Sequence, residues 1–362
     1  MKVTVTGTRG IPFIMGGVET HCQELFPRIA ALGADVTVVR RSSYTPGPLE
    51  EWQGVRLVDI PTPRRKAFEA IVHTVRAVLY AKRSGADIVH INAIGPALAT
   101  PLAKALGLKV VFTHHGPDYD RDKWGKAAKA ALRLGERWGC RYADDVIVIS
   151  DVIKELIASR CGRTERVHLI PNGVPVPEIC AFPEYFAQLG IEPGKYVLGM
   201  SRFVPEKRLH ELVEAFRRSG LADRGYKLVL AGDADFEDEY SRSLKAAARD
   251  AGAVLTGFIS GQKLHSVLSG AALYVLPSSH EGLPIALLEA MSYGLPVVSS
   301  DIPANLEVGL APECYFPLGD VDALSERLRS RTGEGRAQYD MGRYDLDSIA
   351  SRTYEIYKGL CD

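Results

Sequence analysis

An α/β fold with two Rossmann-like, doubly wound parallel-sheet domains facing a central cleft is predicted by three features of this sequence. Short apolar runs alternate with amphipathic helical patterns from one end of the chain to the other. The chain has 362 residues, which suits two cores better than one. A Pro-rich segment without periodicity, residues 170–177, interrupts the alternation. Apolar strands joined by helices are typical of parallel sheets covered on both faces, which bind ligands at the carboxyl ends of their strands.

The first half of the chain carries a series of strand-like runs. They are Val3–Gly7, Asp35–Arg40, Val55–Ile60, Asp87–Asn92, Lys109–His114, Asp145–Ser150 and Arg166–Ile170. Helical patterns lie between most of them, for example Val18–Leu32, Ala67–Arg83 and Lys126–Tyr142. The first domain is therefore predicted to span residues 1–172, followed by a linker at 173–178.

The second half repeats the same alternation. Its strand-like runs are Tyr196–Ser201, Lys227–Ala231, Ala253–Gly257, Ala272–Leu276, Val297–Ser300 and Tyr315–Pro317. The second domain is predicted to span residues 179–345. An amphipathic pattern at Ile349–Leu360 predicts one more helix within residues 346–362.

Composition narrows the class of protein. The chain is 46% hydrophobic and 24% charged, as in soluble globular proteins. No run approaches the ~20 apolar residues of a membrane span, and the N-terminus enters a strand directly rather than resembling a signal peptide. Six cysteines are scattered without a C-x-x-C pair, which suits a reducing cytosol and argues against zinc and redox motifs. We therefore expect a cytoplasmic protein, with attachment to the inner face of a membrane as an open alternative.

Charge is distributed unevenly between the halves. Residues 1–178 carry 25 Lys and Arg against 18 Asp and Glu, and the remainder carries 19 against 26. Either the halves attract each other, or a basic face meets an anionic partner such as a membrane surface or a lipid phosphate. Arg64, Arg65 and Lys66 fit that second interpretation, although they fit an ordinary exposed helix face almost as well. No nucleic-acid-binding motif is present, so we expect no nucleic-acid partner.

The most informative segment is residues 278–298, which reads as loop, helix and strand. Glu281 lies in a polar loop, whereas Glu289 lies inside an apolar helix pattern that Pro284 opens and Gly294 ends. A helix N-terminus attracts phosphate, and a carboxylate among apolar neighbours needs hydrogen-bonding partners such as sugar hydroxyls. The segment predicts a site for a phosphorylated, hydroxyl-rich ligand. Two exposed glutamates are the alternative.

Cations follow the first strand of the second domain. Arg202 can bind phosphate oxygens with its fork of N–H groups, and Lys207 adds a point charge at a predicted helix start. Together they would neutralise a diphosphate without a metal, and no cluster of metal ligands stands out, so we expect no metal and no other cofactor. A surface basic cluster is the alternative. Gly232 ends the next strand in a turn that allows close backbone approach.

In the first domain, the first strand opens into a glycine-rich loop. Gly16 and Gly17 precede a helix, and the dinucleotide fingerprint G-x-G-x-x-G is absent from the turn. Such a loop suits backbone contact with a sugar or phosphate, and Arg9 is a candidate phosphate contact. After a later strand, a charged loop supplies candidate acceptor contacts, for which a solvated helix entry is the alternative. These are Asp118, Arg121 and Lys123.

The segment from Leu276 to Ser300 closely resembles the nucleotide-sugar site of GT-B glycosyltransferases, in particular the large retaining family 4. The resemblance implies that Glu281 contacts the transferring sugar and Glu289 the nucleotide ribose. The residues between them complete the donor loop: Gly282, Leu283, Pro284 and Ile285. Arg202 and Lys207 match the family's Arg-x-x-x-x-Lys diphosphate clamp, although Ser201 stands where a glycine often precedes the arginine.

Further motifs extend the resemblance over nearly the whole chain. Thr256-Gly257-Phe258-Ile259 resembles the base-binding turn, where Ile259 would pack on the base; core packing explains Phe258 equally well. Gly16-Gly17-Val18-Glu19 resembles the Gly-Gly-x-Glu loop of the family. Thr113-His114-His115 resembles the Thr-x-His pattern, which assigns to His115 a hydrogen bond to the donor sugar. The terminal helix would cross back onto the first domain, as it does in the family.

The resemblance implies an enzyme that moves a sugar from a nucleotide diphosphate sugar to a saccharide acceptor, with retention of configuration. It places catalytic roles on Glu281, His115, Arg202 and Lys207. A similarity to a bacterial subgroup that builds surface polysaccharides leads us to expect a lipid-linked glycan as acceptor. Two alternatives stay open: a nucleotide-sugar epimerase, and a degenerate subunit that binds nucleotide or a partner. A nicotinamide-dependent oxidoreductase is disfavoured because the fingerprint is absent.

Overall fold

A computed structural model describes residues 1–45, 47–62, 66–120 and 124–362, without the side chains of residues 66–68. The chain divides into two compact units. The N-unit comprises Met1–Gly173 and Arg343–Asp362, and the C-unit comprises Val174–Gly342. Residues 173–178, predicted as a linker, lie at the first point of division. No helix in the described ranges is both long enough and apolar enough to span a bilayer.

The N-unit contains one sheet, which has eight strands within the residues that the structure describes. Its strands are β1 (Lys2–Thr6), β2 (Asp35–Arg41), β3 (Glu51–Trp52), β4 (Val55–Ile60), β5 (Ile88–Asn92), β6 (Lys109–His114), β7 (Asp145–Val148) and β8 (Val167–Leu169). Their order is β3-β4-β2-β1-β5-β6-β7-β8, and every pairing is parallel except the edge pair β3–β4. Strand β3 is absent from the sequence prediction, because two residues are too few to show an alternating pattern.

Helices cover this sheet. They are α1 (Gly17–Ala31), α2 (Lys66–Arg83), α3 (Thr100–Ala105), α4 (Lys126–Tyr142) and α5 (Asp151–Cys161). Local sequence fixes their ends, as α5 shows. The Ser150 hydroxyl accepts a hydrogen bond from the Ile153 N–H at 3.3 Å, and Gly162 ends the helix in the left-handed region at φ 65°.

The C-unit contains a second parallel sheet, six-stranded over the described residues. Its strands are β9 (Tyr196–Met200), β10 (Lys227–Ala231), β11 (Val254–Gly257), β12 (Leu273–Leu276), β13 (Val297–Ser300) and β14 (Tyr315–Phe316). Its helices are α6 (Pro183–Leu189), α7 (Leu209–Ser219), α8 (Glu239–Asp250), α9 (Gly261–Gly270), α10 (Ile285–Ser292), α11 (Pro303–Leu306) and α12 (Val321–Arg331). The strands run in the order β11-β10-β9-β12-β13-β14. Leu198, Leu230 and Leu273 of its inner strands are fully buried.

The last helix, α13 (Leu346–Cys361), belongs to the N-unit and packs against α1. Its Ile349 and Tyr357 lie in the same apolar core as Val3 and Phe26, with exposures of 1% or less. Burying an apolar side chain of this size contributes ~1.5–3 kcal/mol relative to leaving it exposed. Apolar burial therefore holds the C-terminal residues on the first sheet.

Both sheets have the strand order of a doubly wound fold, which confirms the predicted fold class. In the N-unit the order reverses between β1 and β5, and in the C-unit between β9 and β12. A crevice outside the carboxyl ends of the strands forms at such a switch point. The loops after β1, β5, β9 and β12 are therefore the places to look for functional side chains.

Candidate functional site

In the C-unit, Lys207 and Glu281 form an ion pair at the carboxyl edge of the sheet. The Lys207 Nζ and Glu281 Oε1 atoms are 2.5 Å apart, and the two side chains are only 18% and 10% exposed. Strands β9 and β12 are neighbours, so the loops that follow them meet although 74 residues separate the pair. An ammonium group has three N–H donors, so Lys207 can bind a phosphate oxygen while it contacts Glu281.

The sequence predicted that Lys207 lies at a helix start, and this prediction is wrong. It lies in a single 3-10 turn, Pro205–Lys207, and α7 begins at Leu209 after Arg208. Arg208 adopts the left-handed region at φ 48°, which interrupts the helix. The loop after β12 fixes the position of this turn, because the Ser279 N–H and hydroxyl both donate to the Glu206 carbonyl, at 2.9 and 3.2 Å.

Arg202 also follows β9, but it pairs with a residue that follows β10. That residue was not identified from the sequence. Its Nη1 atom is 3.1 Å from the Asp235 Oδ2 atom, and both side chains are largely buried. Asp235 follows β10, so the partner is identified only once β10 and β9 are known to be neighbours. Gly232 permits this arrangement: at φ 126°, a Cβ added there would lie 2.0 Å from the Ser201 carbonyl oxygen. The predicted close approach at Gly232 is therefore to the protein backbone.

Tyr274 is a buried residue of β12. The pKa of its hydroxyl is raised, first by burial and then by the negative charges of Glu281 and Glu289. The hydroxyl is therefore protonated, and it donates to the Met200 carbonyl at 3.4 Å.

Helix α10 begins one residue later than predicted. Pro284 is its N-cap residue, with an extended ψ of 90°, and its carbonyl accepts hydrogen bonds from the Leu287 and Leu288 N–H groups. The side chains of Leu283, Pro284 and Ile285 are buried. Gly282 is the partly exposed residue of the turn, and it precedes the N-terminus of α10, where the helix dipole is positive.

The proposed base-binding turn follows β11. The sequence left two explanations for Phe258, base binding and core packing. Phe258 is 47% exposed, so core packing is wrong. Ile259 is partly exposed. The Gly257 carbonyl accepts a hydrogen bond from the Gly232 N–H at 2.8 Å, which fixes the turn beside the loop after β10.

In the N-unit, Glu19 organises the glycine-rich loop after β1. Its Oε1 atom accepts hydrogen bonds from the Arg9 N–H at 2.9 Å and the Thr8 hydroxyl at 3.2 Å. Its other oxygen, Oε2, would lie 2.0 Å from a Cβ added at Gly16. The first glycine of the motif is therefore required for Glu19 to fold back onto the loop, and Gly17 then begins α1.

The Arg9 side chain is held within the same loop. Its Nη1 atom donates to the Met15 carbonyl at 3.1 Å, and its guanidinium lies 5.1 Å from the centre of the Tyr44 ring. Both contacts fix the guanidinium at the N-terminal side of α1, which is a suitable position for contact with an anion.

His115 follows β6 and contacts Asn92, the last residue of β5. The Asn92 amide nitrogen donates to the Thr6 carbonyl at 3.3 Å, which leaves its oxygen to accept from His115 Nε2 at 2.9 Å. The His115 pKa is lowered, first by burial and then by His21, whose ring centre lies 5.3 Å away. The neutral ring therefore carries its proton on Nε2, and Nδ1 can accept a hydrogen bond from a hydroxyl group.

The neighbouring His114 has a structural role. Its Nδ1 atom accepts from the Gly116 N–H at 3.1 Å, and its Nε2 donates to Glu136 of α4 at 2.8 Å. Tyr119 also donates to Glu136, at 2.9 Å. These buried contacts fix the path of the loop that presents His115.

Of the candidate acceptor contacts, only Asp118 lies within the described residues. Asp118 is partly exposed and begins a 3-10 turn, Asp118–Asp120. Arg121 and Lys123 lie outside the described residues, as do Arg64, Arg65 and the side chain of Lys66 from the basic cluster. Within the described ranges, no group of three or more His, Cys, Asp or Glu side chains is placed to hold a metal ion. Metal independence stays a prediction.

Comparison with known proteins places this geometry in a family. Residues 15–177 match the model "Glycosyltransferase Family 4", and residues 181–344 match "Glycosyl transferases group 1". The chain is 27% identical to a 2-deoxystreptamine N-acetyl-D-glucosaminyltransferase of Streptomyces fradiae, over 75% of this chain and 70% of that protein. It is 30% identical to a lipopolysaccharide 1,6-galactosyltransferase of Salmonella typhimurium, over 59% of each.

A solved structure shows the same fold. Anabaena HepE in complex with UDP and glucose superimposes with a TM-score of 0.80 at 20% identity, covering 99% of this chain and 100% of that one. The two family models together span almost the whole sequence, and the fold agrees with them. The chain therefore belongs to the GT-B glycosyltransferases of family 4 and is a glycosyltransferase enzyme.

Proposed function

We propose that this enzyme transfers a monosaccharide from a nucleoside diphosphate sugar to the saccharide of a lipid-linked bacterial surface glycan, with retention of configuration. The observation that carries the proposal is the Lys207–Glu281 pair at the switch point of the C-unit. A diphosphate sugar offers negative charge at one end and hydroxyl groups at the other. An ammonium group beside a carboxylate complements both.

The cations would act on the leaving group. Breaking the bond to the anomeric carbon places growing negative charge on the diphosphate, and preorganised positive groups stabilise that charge. Lys207 and Arg202 are held by Glu281 and Asp235, so little reorganisation is needed when the donor binds. The N-terminus of α10 adds N–H groups and a favourable dipole.

The carboxylates and His115 would bind the sugar and the ribose. Glu281 accepts hydrogen bonds from sugar hydroxyls and stabilises positive charge on the ring, whereas Glu289 binds the ribose. Neutral His115 accepts a hydrogen bond from a hydroxyl group at Nδ1, because its Nε2–H group donates to the Asn92 oxygen. Phe258, Ile259 and the loop containing Gly16 and Gly17 complete the donor contacts. No metal ion or other cofactor is required in this scheme.

The proposed acceptor rests on two observations. The first is a relative named for lipopolysaccharide, although another acts on 2-deoxystreptamine, so acceptors vary among similar proteins. The second is the excess of seven positive charges in residues 1–178, which favours an anionic partner. Both support an enzyme in the cytoplasm that works at the inner face of the membrane, with Asp118, Arg121 and Lys123 near the acceptor.

Radiolabelled nucleotide sugars, screened one at a time against a bacterial membrane extract, test the proposal. One sugar should be incorporated into the lipid-extractable fraction, and chelation of divalent metals should not reduce the rate. NMR of the product should show the anomeric configuration of the donor. Incorporation from none of the common donors, or an inverted product, would contradict the proposal.

An epimerase is separated from a transferase by leaving out the acceptor. We expect the donor to be recovered unchanged, apart from slow hydrolysis, after incubation with the enzyme alone. Recovery of an epimeric sugar would favour the alternative.

A further inference from the structure

A cavity of about 410 Å³ lies between α4 and α5 of the N-unit, and nothing in the proposed reaction uses it. Its lining residues are Arg137, Cys140, Arg141, Arg160, Cys161, Gly162 and Arg163. A second cavity of about 330 Å³ shares Arg137 and Arg160 with it and adds Arg133 and Glu136. We call the first cavity, with its four arginines, the arginine pocket.

Three carboxylates of α4 and the segment that follows it have partners outside the arginine pocket. Glu136 accepts hydrogen bonds from His114 and Tyr119. Asp144 binds Lys104 at 2.7 Å, and Asp145 binds Arg166 and His168. Among the residues that the structure describes, none of the four arginines forms an ion pair. Four arginines are therefore concentrated around the pocket, and Glu136 lines only the adjoining second cavity.

The arginines also keep many of their N–H donors available. Arg160 donates to the Tyr119 hydroxyl at 2.5 Å, and Arg163 donates from Nη2 to the Asp144 carbonyl at 2.9 Å. The Arg163 Nε is buried and has no hydrogen-bond partner in the described part of the chain. Each guanidinium carries five N–H donors in a fork that matches the oxygens of a phosphate. Most of these donors are not used within the protein.

Two thiols at the wall of the pocket form a hydrogen bond with each other. That bond is the main cause that lowers the pKa of Cys161 and raises the pKa of Cys140. Among the charged neighbours, Glu136 raises the pKa of Cys161, whereas Arg137 and Arg160 lower it.

Helix dipoles explain only part of this cluster. Arg141 and Arg160 lie in the last turns of α4 and α5, where a cation interacts favourably with the negative end of the helix. Arg137 lies one turn earlier in α4, and Arg163 follows the Gly162 that ends α5. Neither has this role, and both would repel the other two arginines if the space stayed without an anion.

We propose that the arginine pocket binds an oxyanion with two or more negative charges, of the diphosphate or phosphorylated-headgroup class. None of the residues that line the pocket is among the proposed donor residues, so the pocket needs no change in the proposed reaction.

Calorimetric titration with inorganic pyrophosphate tests the proposal. The donor clamp is first removed with Arg202→Gln and Lys207→Gln, so that only other sites report. This protein should bind one pyrophosphate, and adding Arg137→Gln and Arg141→Gln should weaken binding about tenfold or more. Arg83→Gln, which removes an exposed cation from the last turn of α2, is the matched control and should change the affinity less than about twofold.

Loss of binding in the clamp-free protein, or an equal effect of Arg83→Gln and the pocket variant, would overturn the proposal. Alkylation provides a second readout that a folding defect would not mimic. Pyrophosphate should slow the reaction of Cys161 with iodoacetamide several-fold and leave the exposed Cys361 unaffected. Equal rates at Cys161 with and without pyrophosphate would contradict binding in the pocket.

Vesicle sedimentation distinguishes the two sources of such an anion. If the source is a lipid headgroup, vesicles that contain phosphatidic acid, whose phosphomonoester can carry two negative charges, should bind the protein in a manner that depends on Arg137 and Arg141, whereas phosphatidylcholine vesicles should not. If pyrophosphate binds and neither vesicle does, the pocket takes a soluble diphosphate. These readouts measure binding alone, so their results do not depend on whether the transferase assay succeeds.

Discussion

The N-unit and the C-unit place their candidate residues at the same topological position, yet the two sites differ in electrostatics. In the C-unit, the site consists of ion pairs, Lys207–Glu281 and Arg202–Asp235. In the N-unit, the central contact joins two neutral side chains, His115 and Asn92. The strand order fixes where a site forms, whereas the side chains at that edge decide which part of a ligand it can bind.

Under the proposed function, the C-unit would bind the diphosphate of the donor, and His115 would bind hydroxyl groups. Charged pairs are preorganised for a diphosphate, and a neutral imidazole is suited to hydroxyl groups because it does not repel a cationic sugar ring. If this division is correct, removing charge should be most harmful in the C-unit, and adding charge should be harmful in the N-unit.

Replacing Glu281 with Gln should cause the largest loss. The amide keeps the shape of the side chain but removes the negative charge, and kcat/KM should fall about 10³-fold. Initial rates with the donor identified by the screen provide the measurement. Glu313→Gln, an exposed change in the same unit, is the control and should keep full activity. A loss below tenfold would remove Glu281 from the reaction.

Replacing Lys207 with Met should rank second. Without the ammonium group, binding of the nucleoside diphosphate should weaken about 10²-fold, since interactions with charged groups are the strong ones. Calorimetric titration of both proteins measures this, and Lys263→Met, an exposed cation of α9, serves as control. If Lys207→Met lowered only the thermal stability and left nucleotide affinity intact, the ion pair would be structural.

Replacing Asn92 with Asp tests the neutral state of His115. Burial lowers the His115 pKa, so the ring is neutral near pH 7, but a carboxylate at position 92 would favour the imidazolium and raise that pKa. Activity relative to the parent should then fall as pH drops through the raised value, about tenfold between pH 8 and pH 6. Asn92→Ala removes the anchor without adding charge, so its relative rate should be lower but independent of pH. A flat ratio for Asn92→Asp would contradict the assignment.

Replacing Gly16 with Ala should have the smallest effect of the four. The new Cβ would displace Glu19 and weaken its hydrogen bonds to the loop, so the donor KM should rise about three- to tenfold with kcat less affected. Gly125→Ala is the control, because no atom of the described residues lies within 4 Å of the added Cβ. An unchanged KM would show that the position of this loop is irrelevant to donor binding.

Local patterns predicted most of the fold. Four predicted strands match residue for residue: Val55–Ile60, Lys109–His114, Lys227–Ala231 and Val297–Ser300. The helix end at Gly294 was also correct, since its φ of 67° favours glycine. The predicted helix starts at Pro284 and Lys207 were wrong by a residue or more. Helix starts depend on backbone angles, which composition does not specify.

The hydrogen-bonding and ion-pair partners of the site residues could not be predicted from the sequence. Asn92 ends β5 and Asp235 follows β10, whereas His115 follows β6 and Arg202 follows β9, so these contacts exist only because β5 adjoins β6 and β10 adjoins β9. The arginine pocket likewise joins residues of two separate helices. Glu19 could have been found, because it belongs to the Gly-Gly-x-Glu motif, and the steric demand at Gly16 now gives that motif a physical reason.

The most direct test of the central assignment is a crystal structure of the enzyme with the nucleotide sugar that the screen identifies. Lys207 Nζ should lie within hydrogen-bonding distance of a diphosphate oxygen, and Glu281 should accept a hydrogen bond from a hydroxyl of the same sugar. A bound donor whose diphosphate contacts neither Lys207 nor Arg202, with the Lys207–Glu281 pair unchanged beside it, would contradict the account.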